Sequence, residues 1–538
     1  MMDRRSVLQV LALAAAWPAL SRAGRAQEVA AEVDVPAPRA GYGAARPWSV
    51  DALVEQARAL AAAPYEPVPD VPRAWLDLSY DQYKNILFDP RSAIWHDSAE
   101  GAGPFEVELF APGLYFRQGV DIHTVEATQG GPVAREVLFT PELFTLTDQV
   151  PAALAADTSP TLGFSGFRLK APINSTQRRE EFLVFQGASY FRATGRDQFY
   201  GLSARGLAIG TGGPDGEEFP FFRAFWIEKP APRAPDITVH ALMDSPSVAG
   251  AYTFRIAPGD PTVMDVAARL FPRTAIAEVG IAPLTSMFLY DETNRNRFDD
   301  FRPAVHDSDG LLVANGAGER LWRKLANPRD LQVSWFVDDS PQGFGLMQRA
   351  RALDEFADLE AHYERRPSLW VEPRAEWGPG AVVLVEIPAD QEIYDNVVAF
   401  WRPREPLEPN TRHDYRYRLN WGRDFALADP RMRVEETYLG RAAFDGEADA
   451  RTVAIDFVPP PGDPNSVAPL PDPRDVVARV SADRARIGNP IVKRNPQTGG
   501  LRLAFTFYGS EPSELRAQLL QDQRPVSEVW LYRWTPDA

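Results

Sequence analysis

Carboxylates, arginines and aromatic residues are concentrated between residues 282 and 401, and this mixture of side chains is suited to acid–base chemistry. In glycoside hydrolysis one carboxylic acid protonates the leaving oxygen, a second carboxylate activates water, and aromatic faces hold the sugar ring. The strings that combine these residue types are 283–288, 302–310, 363–373 and 394–401. On residue types alone, an ordinary turn explains any one of these aspartates more often than catalysis does.

Several other chemistries are excluded by residues that the sequence lacks. The 538 residues include no cysteine, which excludes thiol nucleophiles, iron–sulfur clusters and cysteine zinc sites. There is no Gly-x-Ser-x-Gly elbow and no Gly-Lys-Ser/Thr phosphate loop, and none of the six histidines forms a His-x-x-x-His or His-x-His pair. We therefore expect no cofactor and no metal.

Two further segments have the composition of a ligand site. The glycine-rich segment 206–213 lacks the spacing of a dinucleotide-binding loop and is predicted to form a turn. The oxygen-rich segment 291–300 has ligands that suit calcium. It lacks the glycine and the terminal glutamate of an EF-hand loop, so we predict a solvated turn there.

The overall charge limits the class of ligand. The formal net charge is −17, which argues against binding to nucleic acid or to an anionic membrane surface and favours a neutral substrate.

The 30 Phe, 16 Tyr and 13 Trp supply aromatic faces that stack on sugar rings, although most of them are expected in the core.

The first 26 residues resemble an export signal. Arg4 and Arg5 precede an apolar run at 10–16 and a small-residue stretch that ends near Ala26, which is typical of a twin-arginine signal. An ordinary secretory signal with a basic start is the alternative, and it also leads out of the cytoplasm. No later segment approaches the ~18 to 20 apolar residues that a membrane span needs, so we expect a soluble exported protein.

The elements that would position the acidic strings are mostly short strands. From about Phe105 onward, apolar or alternating runs are separated by Gly, Pro and Asp, which predicts an all-β fold, either a β-sandwich or a barrel. Helices are predicted at 49–63 and, as a charged helix-like piece, at 350–365. The predicted strands of the first part are 107–116, 181–185, 189–193, 239–243, 251–256, 382–387 and 397–401.

A Pro-rich polar string divides the chain into two parts. We predict a linker at 403–412 and, after it, an immunoglobulin-like sandwich at 413–538. Its predicted strands lie near 415–421, 451–457, 476–480, 501–508 and 529–533. The other predicted divisions are the signal at 1–26, a flexible lead-in at 27–47 and a large β-sandwich domain at 48–402.

Seven long strings carry a resemblance to a known family. They are Gln186–Phe191, Tyr200–Gly206, Glu218–Pro220, Val305–Gly310, Gly343–Arg349, Arg365–Pro373 and Asp395–Trp401. On these strings the chain resembles the osmoregulated periplasmic glucan biosynthesis family, OpgG/OpgD, also called MdoG/MdoD. The resemblance covers essentially the whole mature chain, and the twin-arginine signal is closer to the D branch.

The resemblance implies a fold and a function. The fold is a large N-terminal β-sandwich with a long cleft, similar to galactose mutarotase-like sandwiches, followed by an immunoglobulin-like domain. The function is a part in making periplasmic glucans with a β-1,2-linked glucose backbone. Members of the family are also associated with inverting β-1,2-glucanase activity, and some relatives with transglycosylation that closes the glucan into a ring.

Carried over residue by residue, the resemblance assigns the catalytic acid to Asp395 and the base to Asp307. Glu392, Tyr363 and Arg366 fall on matching positions as sugar-binding or proton-relay groups. Glu392, three residues before Asp395, would favour its protonated form, and His306 or Arg302 would help Asp307 to stay ionised.

Three residues from the same strings complete the predicted site, and simpler alternatives remain open. His306, Asp309 and Trp370 are assigned to substrate binding. Asp307 and Asp309 are alternatively turn-capping residues, and Arg366 is alternatively the partner of Glu364 or Glu372 in an ion pair.

Two functions remain open at this stage. The first is an inverting endo-β-1,2-glucanase or a glucan-cyclising transglycosylase, and the second is a non-catalytic glucan-binding scaffold in glucan assembly. The predicted partners are the β-1,2-linked glucan, other glucan-assembly proteins of the inner membrane or periplasm, and a second copy of the chain, but no nucleic acid. The predicted location is the periplasm.

Overall fold

Most of the regular structure in this protein is β-strand. The computed structural model describes residues 40–96, 103–423, 429–443, 447, 449–460 and 470–536. Strands greatly outnumber helices in these residues, so the prediction of an all-β fold is confirmed. The predicted signal at 1–26 and the lead-in before residue 40 lie outside the described residues. None of the described helices is long and apolar enough to cross a membrane.

The strands are numbered in chain order. Those of the first half are β1 Gly41–Tyr42, β2 Arg46–Pro47, β3 Ile86–Phe88, β4 Glu106–Phe110, β5 Asp121–Thr128, β6 Gly131–Leu138, β7 Phe144–Leu146, β8 Gly166–Ala171, β9 Glu180–Gln186, β10 Tyr190–Ala193, β11 Ser203–Arg205, β12 Leu207–Ile209, β13 Phe221–Glu228, β14 Ile237–Asp244, β15 Val248–Ala257, β16 Thr262–Pro272, β17 Val279–Ser286 and β18 Phe288–Tyr290. Those of the second half are β19 Val305–His306, β20 Gly310–Ala314, β21 Arg320–Lys324, β22 Gln332–Asp338, β23 Gly343–Met347, β24 Ser368–Pro373, β25 Gly380–Glu386, β26 Val397–Pro403, β27 His413–Gly422, β28 Arg433–Arg441, β29 Ala450–Val458, β30 Val476–Ala482, β31 Arg486–Arg494, β32 Leu501–Tyr508, β33 Ser513–Gln521, β34 Arg524–Pro525 and β35 Val529–Trp534.

The helices are few and short. The α-helices are α1 Val50–Ala62, α2 Arg73–Leu76, α3 Tyr80–Tyr83 and α4 Leu353–Phe356, and the 3₁₀ turns are Pro90–Ser92, Pro141–Leu143, Ala152–Ala156, Arg295–Arg297, Tyr363–Arg365 and Pro473–Asp475.

Two sheets form the large sandwich. In the first, the long sheet, the strands pair in the order β6-β5-β13-β14-β15-β16-β27-β24-β23-β20-β21-β35-β33-β30, with β1 and β2 beside β6. The second sheet has the order β22-β25-β26-β17-β11-β10-β9-β8-β4, and β12 also pairs with β17.

Aromatic residues fill the space between these two sheets. Phe167 of the second sheet meets Phe225 of the long sheet with ring centroids 5.0 Å apart. Phe185 and Phe191 of the second sheet lie 5.1 Å and 5.4 Å from Phe254 of the long sheet. Because successive strand residues point to opposite faces, the neighbours of these core residues point outward from the sandwich.

Helix α1 covers the outer face of the long sheet. Ser49 caps its N-terminus by accepting a hydrogen bond from the Ala52 N–H, and Leu53 and Ala57 are buried against the sheet. The predicted helix at 49–63 is confirmed.

The predicted charged helix at 350–365 is wrong. Only α4, of four residues, and a 3₁₀ turn at 363–365 form there, and Ala357 ends α4 in the left-handed region with φ of 54°. The carboxylate of Asp358 accepts the backbone N–H groups of Glu360 and Ala361, which gives this stretch of backbone an alternative to helical hydrogen bonds.

The lead-in and the start of the C-terminal part also differ from prediction. Residues 41–42 and 46–47 pair with β6, so the end of the lead-in is ordered strand. Strand β27, at the start of the predicted C-terminal domain, pairs with β16 and β24 and therefore belongs to the long sheet. The domain limits as a whole stay a prediction.

Segments 206–213 and 291–300, which have the composition of ligand sites, have structural roles in the fold. Residues 207–209 form β12, and Gly210 and Gly212 turn the chain after it with φ of 70° and 76°. Asp291 is buried with its Oδ2 2.6 Å from the Lys324 Nζ, so the predicted solvated turn is wrong at its first residue. No group of three or more metal-ligating side chains lies together in the part of the chain that the structure describes.

A second, smaller sandwich follows the large one. Its layers are the sheet β28-β29-β32-β31 and the end of the long sheet, β35-β33-β30. Ile455 and Phe505 of the first layer share a core with Leu519 and Trp530 of the second, and this core includes Trp322 of the large sandwich. The two sandwiches therefore share strands and core residues.

A buried ion pair joins the two sandwiches. Both guanidinium Nη atoms of Arg349 lie 2.8 Å from the carboxylate oxygens of Glu528, and the guanidinium lies 3.6 Å from the centroid of the Trp322 ring. The Glu528 carboxylate also accepts the Val434 N–H at 2.9 Å. Both partners are nearly inaccessible to solvent.

We predict that Arg349→Met lowers the free energy of unfolding by about 3 to 5 kcal/mol, because it leaves the Glu528 carboxylate buried without its cation. Urea unfolding followed by tryptophan fluorescence measures the change. The matched control is Arg516→Ala, which breaks a half-exposed pair with Glu319 across the same two sandwiches. It should cost at most about 1 kcal/mol. Equal losses in the two variants would contradict the prediction.

Candidate active site

One short backbone segment holds both predicted catalytic aspartates. The Asp307 N–H donates to the Met287 carbonyl at 2.8 Å, and the Asn396 N–H donates to the Ser286 carbonyl at 3.0 Å. Residues 286–288 connect β17 to β18, so the end of one strand fixes two loops that are far apart in the sequence. The structure thus brings Asp307 and Asp395 to one place.

Asn396 fixes the position of its neighbour Asp395. Its Nδ2 donates to the carbonyls of Phe288 and Ile387 at 2.9 Å and 3.1 Å, and its Oδ1 accepts the Phe288 N–H at 2.8 Å. A buried amide with all these partners has one orientation, so the backbone next to Asp395 is held firmly.

Asp395 is buried with one free oxygen. The residue is 2% exposed, and its Oδ2 lies 3.4 Å from Nη2 of Arg192. Its buried Oδ1 has no hydrogen-bond partner among the described residues. Burial raises the pKa of Asp395 to about 6; Arg192 opposes this increase and Asp307 adds to it. Burial, rather than the predicted Glu392, is thus the main reason why the pKa of Asp395 is raised.

Asp307 forms an ion pair with Arg366. Nη1 of Arg366 donates to Oδ1 of Asp307, and both groups are almost completely buried. The guanidinium also donates to the Ala361 carbonyl and lies 4.2 Å from the centroid of the Tyr363 ring. The predicted alternatives Glu364 and Glu372 are not its partners here. Arg366, rather than His306 or Arg302, supplies the positive charge next to Asp307.

Tyr363 keeps its hydroxyl proton at neutral pH. Burial raises its pKa far above the ordinary value, and Arg366 opposes this increase. The charges of Asp307 and Glu392 also act on this phenol, which places it in the same electrostatic cluster. A neutral phenol can donate one proton and accept another, as a relay requires.

Glu392 belongs to a clamp that ties three loops together. Nη2 of Arg302 lies 2.7 Å from Glu392, and the same guanidinium binds Asp300 and Asp358 at 2.7 Å and 2.8 Å. These carboxylates come from three separate loops around the aspartates. Arg302 therefore shapes the rim of the site and does not contact Asp307.

His306 and Asp309 lie beneath the site. The His306 ring stacks on Phe288, and its Nδ1 lies 2.8 Å from the Gln348 Oε1. Oδ2 of Asp309 accepts the N–H groups of Arg349 and Ala350 at 2.9 Å and 3.1 Å. Both residues are buried, so they support the site from within the protein.

Trp370 lies elsewhere. It is 3% exposed and belongs to the core that the two sandwiches share. Its ring covers Gly343, where an added Cβ would come within 2.3 Å of it. A tryptophan enclosed in this way has no free face for a sugar, so its assignment to substrate binding is wrong.

Three residues of the second sheet complete the charge cluster, and the sequence reasoning missed their roles. Arg192 donates through Nε to the Ser203 Oγ at 2.7 Å, and Arg205 donates to the Thr285 Oγ1 at 2.9 Å. The Arg205 guanidinium lies 4.7 Å from the centroid of the Tyr190 ring, whose buried hydroxyl has no partner among the described residues. The available signal was an arginine inside an otherwise apolar strand, which needs a buried anion.

Comparison with known proteins identifies the family of this chain. The family described as "Periplasmic glucan biosynthesis protein, MdoG" matches residues 48–534, nearly all of the chain after the predicted signal. The chain belongs to the MdoG family.

Curated members of the MdoG family are similar over most of their length. A "Glucans biosynthesis protein G" of Vibrio cholerae is 49% identical over 489 residues, which covers 90% of this chain and 86% of that protein. Proteins of the same name from Shewanella sp. and Shewanella frigidimarina are each 47% identical over 488 residues, covering 90% of this chain and 86% and 84% of theirs. These relatives carry the G name and give no support to the expected closeness to the D branch.

We predict that Arg192→Met raises the pKa of Asp395 further, by about 1 to 3 pH units, because it removes the cation next to the Oδ2. Carbon-13 NMR of the aspartate carboxyl groups during a pH titration measures this change. Arg418→Met is the control, since Arg418 pairs with Asp265 on a distant strand. An unchanged titration of Asp395 in the Arg192 variant would show that this ion pair is not formed in solution.

Proposed function

We propose that this MdoG-family protein is an enzyme that cleaves β-1,2-linked glucan by acid–base catalysis, with Asp395 as the acid and Asp307 as the base. The reaction is either inverting endo-hydrolysis or a transglycosylation that closes the glucan into a ring. The linkage and the reaction type rest on the family resemblance. The roles of Asp395 and Asp307 were also assigned by that resemblance, and their environment in the site supports them.

The observation that carries this proposal is the condition of Asp395. Its buried carboxyl group has a pKa of about 6 and one oxygen without a partner among the described residues. A general acid needs a proton to give and an oxygen that faces the leaving group. Asp307 has a different environment, because its carboxylate forms a direct ion pair with Arg366.

The proposed step moves two protons in opposite directions. The bond between the anomeric carbon and the glycosidic oxygen breaks, and that oxygen takes the proton of Asp395. A water oxygen bonds to the anomeric carbon, and its proton passes to Asp307, either directly or through the Tyr363 hydroxyl. In transglycosylation a hydroxyl group of the glucan replaces the water.

The surrounding residues have distinct tasks in this scheme. Arg192 limits the rise in the pKa of Asp395, so the acid can still release its proton near neutral pH. Arg366 forms an ion pair with Asp307 and orients Tyr363 through its contact with the ring. The Arg302 clamp fixes the loops that would border the bound sugar units.

The second candidate is a glucan-binding scaffold without catalysis. It is favoured by the nearly complete burial of both aspartates, because a glucan must reach them for catalysis.

The family is described as periplasmic, and with the predicted signal we place this chain in the periplasm. Other glucan-assembly proteins and a second copy of the chain are its proposed partners.

We predict that Asp395→Asn reduces turnover of linear β-1,2-glucan by about 10² to 10⁴, because an amide cannot give a proton to the leaving oxygen. Binding of the glucan should be nearly unchanged. Chromatography of the products by chain length and cyclisation measures turnover, and calorimetry measures binding.

Asp307→Asn should have the same effect on turnover, and Asp330→Asn at an exposed position should have none. An Asp395→Asn protein with nearly full activity would contradict the role of the acid. An inactive wild-type protein that binds the glucan would favour the scaffold.

We predict that the rate decreases about tenfold for each pH unit above the pKa of Asp395, which is about 6, because only the protonated acid can act. The measurement is kcat/KM on linear glucan between pH 5 and pH 9. In Arg192→Met this decrease should begin at a higher pH. A rate that stays constant through this range would contradict the assignment of Asp395 as the acid.

A further inference from the structure

A cavity of about 500 Å³ lies between helix α1 and the outer face of the long sheet. Its walls are residues 43–60 on one side and strands β5, β6, β13 and β14 on the other. The volume is within the range of about 300 to 1,000 Å³ that is usual for small-molecule sites.

Aromatic rings line part of this cavity. His123 and Trp226 stack with centroids 4.9 Å apart and an angle of 11° between their planes. Trp48 lies across from them, next to His240 at 4.7 Å. His123 and Trp48 are only half-buried. These rings offer flat apolar surface of the kind on which the faces of sugar rings stack.

Polar side chains surround the rings. Asp121, Glu136, Gln56 and Arg46 are exposed lining residues, and Arg223 lies deeper in the cavity. Among the residues that the structure describes, none donates a hydrogen bond to the carboxylates of Asp121 or Glu136. These groups are therefore available to the hydroxyl groups of a ligand.

The charges of the cavity disfavour an anionic ligand. Asp121 and Glu136 supply two carboxylates and Arg46 one guanidinium group, whereas the Arg223 guanidinium is already paired with the buried carboxylate of Asp244 at 2.7 Å. An anionic ligand would meet like charge from the two carboxylates. A polyhydroxylated neutral molecule can donate to the carboxylates and accept from Arg46.

The cavity is separate from the Asp395 site. On β13, Phe225 points into the core between the two sheets, and Trp226 points to the opposite face of the strand. On β10, Phe191 points into the same core from the other side, and Arg192 points outward towards Asp395. The two sites thus lie on opposite outer faces of the sandwich.

We propose that this cavity is a second saccharide-binding site, which holds a short stretch of neutral glucan away from the Asp307–Asp395 pair. The choice of a glucan rests on the proposed function, and the preference for a neutral saccharide rests on the cavity itself. Two sites on one chain hold a polymer more strongly than either site does alone, because the second contact forms at a high effective concentration.

The test fills the cavity without removing any of its contacts. Ala52 is an exposed residue of α1 that lines the cavity, and Ala59 is an exposed residue of the same helix that does not line it. Ala52→Trp and the control Ala59→Trp are each combined with Asp395→Asn to prevent turnover. Calorimetric titration with a short linear β-1,2-glucan then gives the number of sites and their affinities.

The expected result is two sites per chain in the Ala59→Trp protein and one in the Ala52→Trp protein. With Asp395 intact, Ala52→Trp should cleave short glucans at the wild-type rate. Gln56→Ala should weaken binding only at the second site, by about threefold to tenfold.

Other outcomes would overturn the inference in distinguishable ways. One site of equal affinity in both tryptophan variants would refute the second site and leave the proposed function intact. If no protein bound the glucan and the wild type did not cleave it, both proposals would fail. Loss of cleavage in Ala52→Trp, with binding lost in full, would mean that the cavity is part of a single continuous site.

Discussion

An ionised carboxylate can be buried only where a cation or several donors replace the water that it loses, and this constraint explains the site. Asp307 and Asp395 are almost completely buried, and each has a guanidinium group as its partner. Arg192 comes from a strand in the middle of the second sheet, whereas Arg366 follows a 3₁₀ turn more than 170 positions later. The sheet must therefore be in place before burial of Asp395 is tolerable, and the loop that carries Arg366 before burial of Asp307 is. The position of each acid is as well determined as the fold itself.

The two aspartates are nevertheless in different electrostatic conditions. Burial dominates at Asp395 and raises its pKa, although Arg192 lies nearby. At Asp307, Arg366 forms a direct hydrogen-bonded pair. Different environments for two carboxylates are what acid–base catalysis at a single pH requires. Each aspartate also has its own supporting residue. Asn396 fixes the backbone next to Asp395, and Gln348 holds His306 next to Asp307.

Sequence patterns predicted the fold well where the signal for an element lies within the element itself. The apolar run at 239–243 marks β14, and the helical spacing of apolar residues at 49–63 marks α1, because both signals are local. Partners that are distant in the sequence were not predictable in this way. The contact of Arg192 with Asp395 spans 203 positions, so the apolar strand around Arg192 could indicate a buried anion but not which residue supplies it. The assignment of Trp370 to substrate binding was wrong for a related reason. The sequence around an aromatic residue in a polar string does not show whether its side chain faces a sugar or a neighbouring domain.

The parallel pairing of β21 with β35 has a consequence for how the chain is made. Leu321 pairs with Val529, so this strand edge must wait for more than 200 residues of further synthesis before its partner exists. At the usual ribosomal speed this delay is about 10 to 40 s. During that interval Trp322 lacks the cover of Trp530, and an unpaired strand edge is open to other nascent chains. Until its last strand is made, the new chain therefore exposes a strand edge and core residues that favour aggregation.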